Sequence, residues 1–173
     1  CIKPRPSGEV ARRSRDGEIV MQSKHNKQLV PLAKHLRKEM TKEEVLQLEK
    51  ELSFQEFNNH DAYQLGQIIV DHIEKNHLKN VRIRIVLDKD IVFQYLMDGK
   101  KGVIWLDRKQ KTVEKYGHSS YYIYLENEEN KTYQADEKDE SLVICGGGFP
   151  LIIHDELRGS ILVSGLVHDE DHQ

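Results

Sequence analysis

The chain has 173 residues, the length of one domain with a tail, and 38% of its residues are hydrophobic while 32% are charged. The apolar residues come in dense runs that can build a core, so this composition excludes collagen-like, mucin-like and wholly disordered chains. No apolar run reaches the roughly 18 residues that a membrane span needs. The two cysteines, Cys1 and Cys145, provide no disulfide framework. We therefore expect a cytoplasmic protein that is not embedded in a membrane.

Charge divides the chain into two parts. Residues 1–50 hold 12 Lys and Arg against 7 Asp and Glu, whereas the remaining residues hold 14 against 22. A basic leader can bind nucleic acid, but the first 50 positions contain no aromatic residue that could stack on a base. We therefore predict a basic, partly disordered leader over 1–40, without nucleic-acid binding, and a single domain over 41–173.

The first residue, Cys1, allows three interpretations. It could be an N-terminal nucleophile whose α-amine serves as the base for its own thiol. It could be a lipid-bearing cysteine left by signal cleavage, or the first residue of a trimmed chain. The sequence favours a trimmed chain, because Cys1 opens a basic segment with no glycine-rich pocket behind it.

The first predicted elements are helices. Helical signals begin near Pro31, and Thr41 with Glu44 then forms a capping box that opens a short helix with an apolar stripe at Val45, Leu48 and Leu52. Asn58 or Asn59 is predicted to cap a longer helix, whose stripe is Ala62, Leu65, Ile69 and Ile73. Gly66 lies beside this stripe, where we expect another backbone to pack closely.

Two stretches with alternating apolar residues, 81–87 and 91–97, are joined by a short turn and predict a hairpin. The residues expected on its inner face are Val81, Ile83, Ile85 and Leu87, then Ile91, Phe93, Tyr95 and Met97, with Arg82 and Arg84 on the other side. A helix is predicted over 103–116, and Gly117 can end it. The residues expected on one side of that helix are Trp105, Lys109, Val113 and Tyr116.

The rest of the chain predicts an antiparallel sheet with a late helix. Strands are predicted at 120–125, 142–145, 149–153 and 160–166, with 126–140 as an exposed acidic loop. A final helix starts at His168 and is cut short at Gln173. This order of elements predicts an α+β fold in which helices cover an antiparallel sheet.

A run of three glycines, Gly146, Gly147 and Gly148, is the most unusual string in the sequence. Glycines reach positive φ without strain and can expose backbone amides to an anion or a flat ring. No Gly-Lys-Ser/Thr follows, so the string is not a phosphate-binding P-loop. A sharp bend between two strands remains the alternative, and composition alone favours it.

His118 and Ser119 lie between a predicted helix and a predicted strand. His118 could be a metal or haem ligand, a proton carrier or a surface histidine. No HxxxH, HxH or CxxC spacing accompanies it, so we expect no mononuclear metal site. Ser119 or Ser120 could be a nucleophile, but no Gly-x-Ser-x-Gly motif surrounds them, which favours a structural role.

Arg108 and Lys109 are permanent cations suited to a carboxylate, such as a side arm of haem or a corrinoid. The alternative is a solvated helical face with Trp105 in the core. Near the C-terminus, the acidic residues suit the first turn of a helix, and Asp171 with His172 could also help in proton transfer.

Taken in order, a set of motifs resembles the GlcG/HbpS haem-degrading-domain-like superfamily, in a branch found in bacteria and yeasts. The motifs are Trp105-x-x-Arg108-Lys109, Tyr116-Gly117-His118-Ser119-Ser120, Gly146-Gly147-Gly148-Phe149-Pro150-Leu151, Gly159 to Leu166, and Glu170-Asp171-His172. The resemblance covers about residues 42–173. It implies a five-stranded antiparallel sheet flanked by helices, similar to a profilin-like fold, and a compact homo-oligomer.

The resemblance also implies a function, because relatives in the wider superfamily bind haem or a corrinoid. It implies a small-ligand-binding protein, with a tetrapyrrole as the ligand and with candidate cofactor-binding residues at Arg108, Lys109, His118, Ser119, Gly146, Gly147 and Gly148. The branch has no settled activity, so no catalytic residue is assigned. Cys145 departs from the branch, which usually has His before the glycines. Two alternatives stay open: a haem-degrading or redox-protective enzyme, and an oligomeric interaction module without a small ligand.

The expected strand at 120–125 carries aromatic residues on both faces and no charge. Both faces should then be shielded, by the core on one side and by a helix or another subunit on the other. We predict a homo-oligomer with Tyr122 or Tyr124 near its interface.

Overall fold

In a computed structural model of the protein, residues 40–166 and 171–172 are described in full, together with the backbone of two short strands, β1 (Arg12–Arg13) and β2 (Ile19–Val20), that pair antiparallel. The helix expected from Pro31 and most of the predicted leader lie outside the described residues. The chain divides into two units, Cys1–Glu39 and Met40–Gln173.

Four α-helices and four strands lie wholly within the described part of the second unit. The helices are α1 (Lys42–Glu51), α2 (Asn59–Lys75), α3 (Ile104–Tyr116) and α4 (Ser120–Asn130). The strands are β3 (Arg82–Leu87), β4 (Asp90–Leu96), β5 (Gly148–Ile153) and β6 (Glu156–Ser164). They form one antiparallel sheet in the order β4-β3-β6-β5. The α+β class is therefore confirmed.

The predicted starts of α1 and α2 are confirmed. The Thr41 hydroxyl accepts from the Glu44 amide at 3.2 Å, and the Glu44 carboxylate accepts from the Thr41 amide at 2.7 Å. Asn58 caps α2 in the same reciprocal way with Asp61. Each box satisfies amides that the first helical turn leaves unpaired, which is why these short motifs fix where the helices begin.

Strand β3 is buried on both faces, because α2 covers one and α3 the other. Ile83 packs with Ile73 of α2, whereas Val86 packs with Leu106 of α3 and Leu162 of β6. The face that carries Arg82 and Arg84, opposite the predicted apolar face, is therefore also covered. Arg84 is 4% exposed, and its guanidinium donates to Gln94, Asp107 and Gln110.

Gly66 of α2 marks a close approach, as predicted, but the neighbour is a side chain and not a backbone. A methyl group at this position would overlap the ring of Phe93 in β4. The missing side chain lets α2 sit against that ring.

The prediction of five strands is wrong, because the sheet that the described residues form has four. Residues 120–125 belong to helix α4, whose first turn is capped by the Ser119 hydroxyl accepting from the Tyr122 amide at 3.2 Å. Residues 142–145 are irregular: the amide and carbonyl of Val143 both bond the Thr112 hydroxyl, at 3.1 and 2.9 Å. The outer edge of β5 is met only by a single parallel bridge from Phe54, within the described residues.

Several finer expectations also need correction. The acidic segment continues α4 to Asn130 and includes a 3-10 turn at Asp136–Lys138. On β4, Ile91 and Tyr95 are 52% and 43% exposed, since β4 is an edge strand and α2 covers only part of it. Trp105 is 43% exposed and does not lie in the core. No helix among the described residues is long and apolar enough to cross a membrane.

Candidate functional site

A buried ion pair joins helix α3 to the C-terminal residues. Lys109 and Asp171 approach to 2.8 Å, with side chains 2% and 5% exposed, and the Lys109 ammonium also donates to the Val163 carbonyl at 2.7 Å. The Asp171 carboxylate accepts from the backbone amides of Gly165 and Leu166. Burial raises the pKa of Asp171, while Lys109 and the two amides oppose that rise. The cation of Lys109 is therefore engaged inside the protein.

The predicted glycine string packs directly against this ion pair. Gly147 has φ +103°, and a methyl group there would overlap the Val163 carbonyl oxygen and lie 2.5 Å from the Lys109 ammonium. The Gly147 carbonyl accepts from the Val163 amide at 2.7 Å. Gly148 begins β5 and its amide donates to the Ser120 hydroxyl at 2.9 Å. The contacts of Gly147 and Gly148 thus join α3, α4 and β6, and the string leads into β5 from an irregular segment, so it is not a bend between two strands.

His118 lies at the exposed end of a second polar pair. Its Nδ1 lies 2.8 Å from Oε2 of Glu49 in α1, and its side chain is 41% exposed while that of Glu49 is 5% exposed. The other carboxylate oxygen of Glu49 accepts from the Ser119 amide at 2.7 Å. The imidazole ring also lies 4.7 Å from the Tyr122 ring. Glu49 therefore contacts two of the three residues, Gly117 to Ser119, that connect α3 to α4.

The Glu49–His118 pair changes the acid–base behaviour of the imidazole. The hydrogen bond to Glu49 raises the pKa of His118 above its ordinary value, and burial opposes this only in part. Nε2 has no hydrogen-bond partner among the residues that the structure describes. The ring thus presents one nitrogen outward while the other is fixed, an arrangement typical of histidines that bind metal centres or carry protons.

His172 follows Asp171 and is the other histidine near Glu49. Its ring lies 4.7 Å from that of Tyr121 and 5.9 Å from that of Phe149, and both of its nitrogens are buried with no hydrogen-bond partner among the described residues. Burial lowers its pKa to about 4, and the charge of Glu49 raises it slightly in return. His172 is therefore a neutral imidazole held in an aromatic contact.

Arg108 of α3 is half-buried and takes no part in the ion pair. Its guanidinium carbon lies 5.3 Å from the centre of the Trp105 ring, an attractive cation–π distance. Its Nε is buried and has no hydrogen-bond partner within the described residues. Arg108 and Lys109, adjacent in sequence, thus have different environments.

Cys145, which precedes the three glycines, has a half-buried thiol. Burial raises its pKa, so the thiol is the dominant form at neutral pH and the residue is not an activated nucleophile.

The sequence therefore identified residues that fall into two groups. Lys109 and Gly147 meet at the buried ion pair, while His118 and Ser119 meet at Glu49, which sequence reasoning missed. A signal for Glu49 existed, because it stands four residues after Val45 and so on the buried face of α1.

Known proteins resemble this chain in sequence and fold. Residues 57–173 match the family model described as haem degrading protein HbpS-like. A UPF0303 protein of Psychromonas ingrahamii is 35% identical over 144 residues, covering 80% of this chain and 90% of the relative. A UPF0303 protein of Lactiplantibacillus plantarum is 32% identical over 130 residues, covering 72% and 83%.

Two solved structures extend the comparison. The crystal structure of Ybr137w protein is similar with a TM-score of 0.69 and 27% identity, covering 85% of this chain and 88% of that one. The crystal structure of HbpS is similar with a TM-score of 0.54 and 15% identity, covering 67% and 82%, which is a likeness of fold alone.

Proposed function

This chain belongs to the HbpS-like family, and we propose that it binds haem or a related tetrapyrrole through the imidazole of His118. The single observation that carries the proposal is the geometry of that side chain. Glu49 holds Nδ1 at 2.8 Å, while the ring is 41% exposed and its Nε2 has no hydrogen-bond partner in the described part of the chain. Histidine is a common axial ligand of haem iron, and a carboxylate on the far nitrogen makes it a better donor.

The residues present fit a tetrapyrrole only in part. His118 fits as a ligand to the metal, because it is exposed and oriented, and Arg108 has a guanidinium nitrogen without a hydrogen bond among the described residues. Lys109 does not fit as an anchor for a carboxylate arm, since Asp171 and Val163 already take its ammonium. Bound haem would supply an iron centre that accepts the imidazole lone pair and can change oxidation state.

The hydrogen-bonded pair of Glu49 and His118 supports a second candidate function. A histidine hydrogen-bonded to a carboxylate can accept and return a proton, so Glu49 and His118 would also serve an enzyme that degrades haem or protects against a redox species. The two candidates differ in the fate of the bound haem. Slow bleaching of the bound haem band when an electron donor is added favours the enzyme, and a stable band favours a binding protein.

We also propose that the protein is a homo-oligomer. The segment 120–125 no longer supports this as a charge-free strand, since it belongs to helix α4. Support comes from edge strand β4, which exposes Ile91 and Tyr95 and carries no charged residue between Ile91 and Leu96. Light scattering at micromolar concentration should give a mass well above 20.2 kDa, and a value near 20.2 kDa would exclude the oligomer.

A hemin titration of the purified protein tests the proposed binding. We expect a saturable Soret band distinct from that of free hemin, and an affinity weakened by roughly tenfold or more in His118→Gln. His60→Gln is the matched control, because His60 is an exposed histidine of α2. A spectrum identical to that of free hemin would reject tetrapyrrole binding. A bound band that persists unchanged in His118→Gln would reject His118 as the ligand.

A further inference from the structure

We infer that Glu49, which never touches the ligand, makes the site selective for a tetrapyrrole that contains a metal ion over the metal-free ring. This inference rests on the proposed function, and Glu49 acts in it as a positioning residue for His118. Its structural basis is that the two oxygens of the buried Glu49 carboxylate have different partners, an imidazole for one and a backbone amide for the other.

Both oxygens of Glu49 have fixed partners. Oε1 accepts from the Ser119 amide at 2.7 Å, and Oε2 lies 2.8 Å from Nδ1 of His118, with the Glu49 side chain 5% exposed. A backbone amide can only donate, so the Ser119 amide always requires an acceptor at Oε1. This contact fixes the carboxylate in place whatever the imidazole does.

The carboxylate in turn determines where the proton of the imidazole sits. An ionised carboxylate only accepts hydrogen bonds, so Nδ1 of the neutral ring must carry the hydrogen that points at Glu49. Nε2 then carries a lone pair. Because the His118 side chain is 41% exposed and Nε2 has no partner among the described residues, that lone pair is available to a ligand.

The lone pair on Nε2 determines which ligands are bound more tightly through contact with His118. A metal ion at the centre of a tetrapyrrole accepts the lone pair, whereas a metal-free ring has no electron-pair acceptor to offer it.

Replacing Glu49 by glutamine should reverse the tautomer. The single carbonyl oxygen of glutamine must face the Ser119 amide, so its NH2 group faces Nδ1 and donates to it. Nδ1 then becomes the acceptor, and the hydrogen of the neutral ring moves to Nε2. The variant keeps the shape of the site but loses the outward lone pair.

The experiment compares the parent, Glu49→Gln and the control Glu51→Gln, an exposed glutamate of the same helix. Nitrogen-15 NMR of the imidazoles at alkaline pH reports the tautomer, and titrations with hemin and with protoporphyrin IX report selectivity. We expect the parent to carry its hydrogen on Nδ1 and to bind hemin more tightly than protoporphyrin IX, by roughly tenfold or more. Glu49→Gln should show the opposite tautomer and lose that preference, while Glu51→Gln resembles the parent.

Three results would overturn the inference. A parent with its hydrogen on Nε2 removes the structural basis, and this measurement needs no variant to fold. Equal parent affinities for hemin and protoporphyrin IX reject the selectivity while leaving tetrapyrrole binding intact. A parent that binds neither compound rejects the proposed function and the selectivity together, and the NMR tautomer then still shows whether Glu49 positions His118.

Discussion

Lys109 and Asp171 are 62 residues apart in the chain and form an ion pair of 2.8 Å in the interior of the domain. The pair ties helix α3 to the C-terminal residues, and Gly147 packs against it. A buried ion pair loses hydration on folding, so it adds little stability compared with well-packed apolar residues. Removing one partner is different, because the remaining charge is then left buried and unpaired.

We predict that Lys109→Met lowers the free energy of unfolding by roughly 3–5 kcal/mol, because Asp171 loses its cation and keeps only the amides of Gly165 and Leu166. Urea denaturation at pH 7 measures the change. Lys111→Met, at an exposed position on the same helix, should change stability by less than about 0.5 kcal/mol. Equal effects of the two substitutions would contradict the prediction.

A second prediction separates backbone strain from steric overlap at the glycine string. Gly147→Ala should destabilise the domain by more than roughly 3 kcal/mol, because the new methyl group would overlap the Val163 carbonyl and the Lys109 ammonium. Gly99 is the matched control, since it also has positive φ but nothing within 4 Å of the added atom. Gly99→Ala should therefore cost only the strain of a left-handed residue, about 1–2 kcal/mol. The same loss in thermal or urea unfolding of both variants would mean that Gly147 is not sterically constrained.

The third prediction concerns acid stability. Burial lowers the pKa of His172 to about 4 from an ordinary 6.5. Between these values the unfolded chain binds a proton that the native state excludes, so the native state loses stability as pH falls from 6.5 towards 4. His172→Phe removes that linkage and keeps an aromatic ring between Tyr121 and Phe149.

The stability gained by His172→Phe should accordingly be larger at about pH 5 than at about pH 7.5, by roughly 2 kcal/mol. Urea unfolding at the two pH values gives this difference. His60→Phe, at an exposed histidine of α2, is the matched control. A gain for His172→Phe that is the same at both pH values would show that His172 titrates normally.

Helix starts and strands that depend on neighbouring residues could be predicted from the sequence. The capping box at Thr41, the cap at Asn58 or Asn59 and the hairpin of 81–87 and 91–97 each depend on residues close in the chain. The structure confirms the box, places the cap at Asn58 and pairs the two strands. The segment 120–125 reads as a strand in sequence because its aromatic residues favour β structure. The Ser119 cap, together with packing of Tyr121 and Ile123 into the interior, overrides that preference.

The candidate site was predictable only where a residue type is unusual by itself. His118 and the three glycines were identified because histidine and consecutive glycines carry specific chemistry. Glu49 was not, since its spacing from Val45 indicates burial on α1 but does not reveal a partner 69 residues away. The partner of Lys109 was equally hidden, because 62 residues separate it from Asp171.

In the proposed complex, Nε2 of His118 donates its lone pair to the metal of the bound tetrapyrrole. Nitrogen-15 NMR of the imidazoles, recorded before and after saturation with diamagnetic zinc protoporphyrin, tests it directly. We expect that the Nε2 signal of His118 shifts on binding while its Nδ1 hydrogen stays bonded to Glu49, and that the signals of the exposed His60 do not move. An unchanged His118 signal in the saturated protein would contradict the claim.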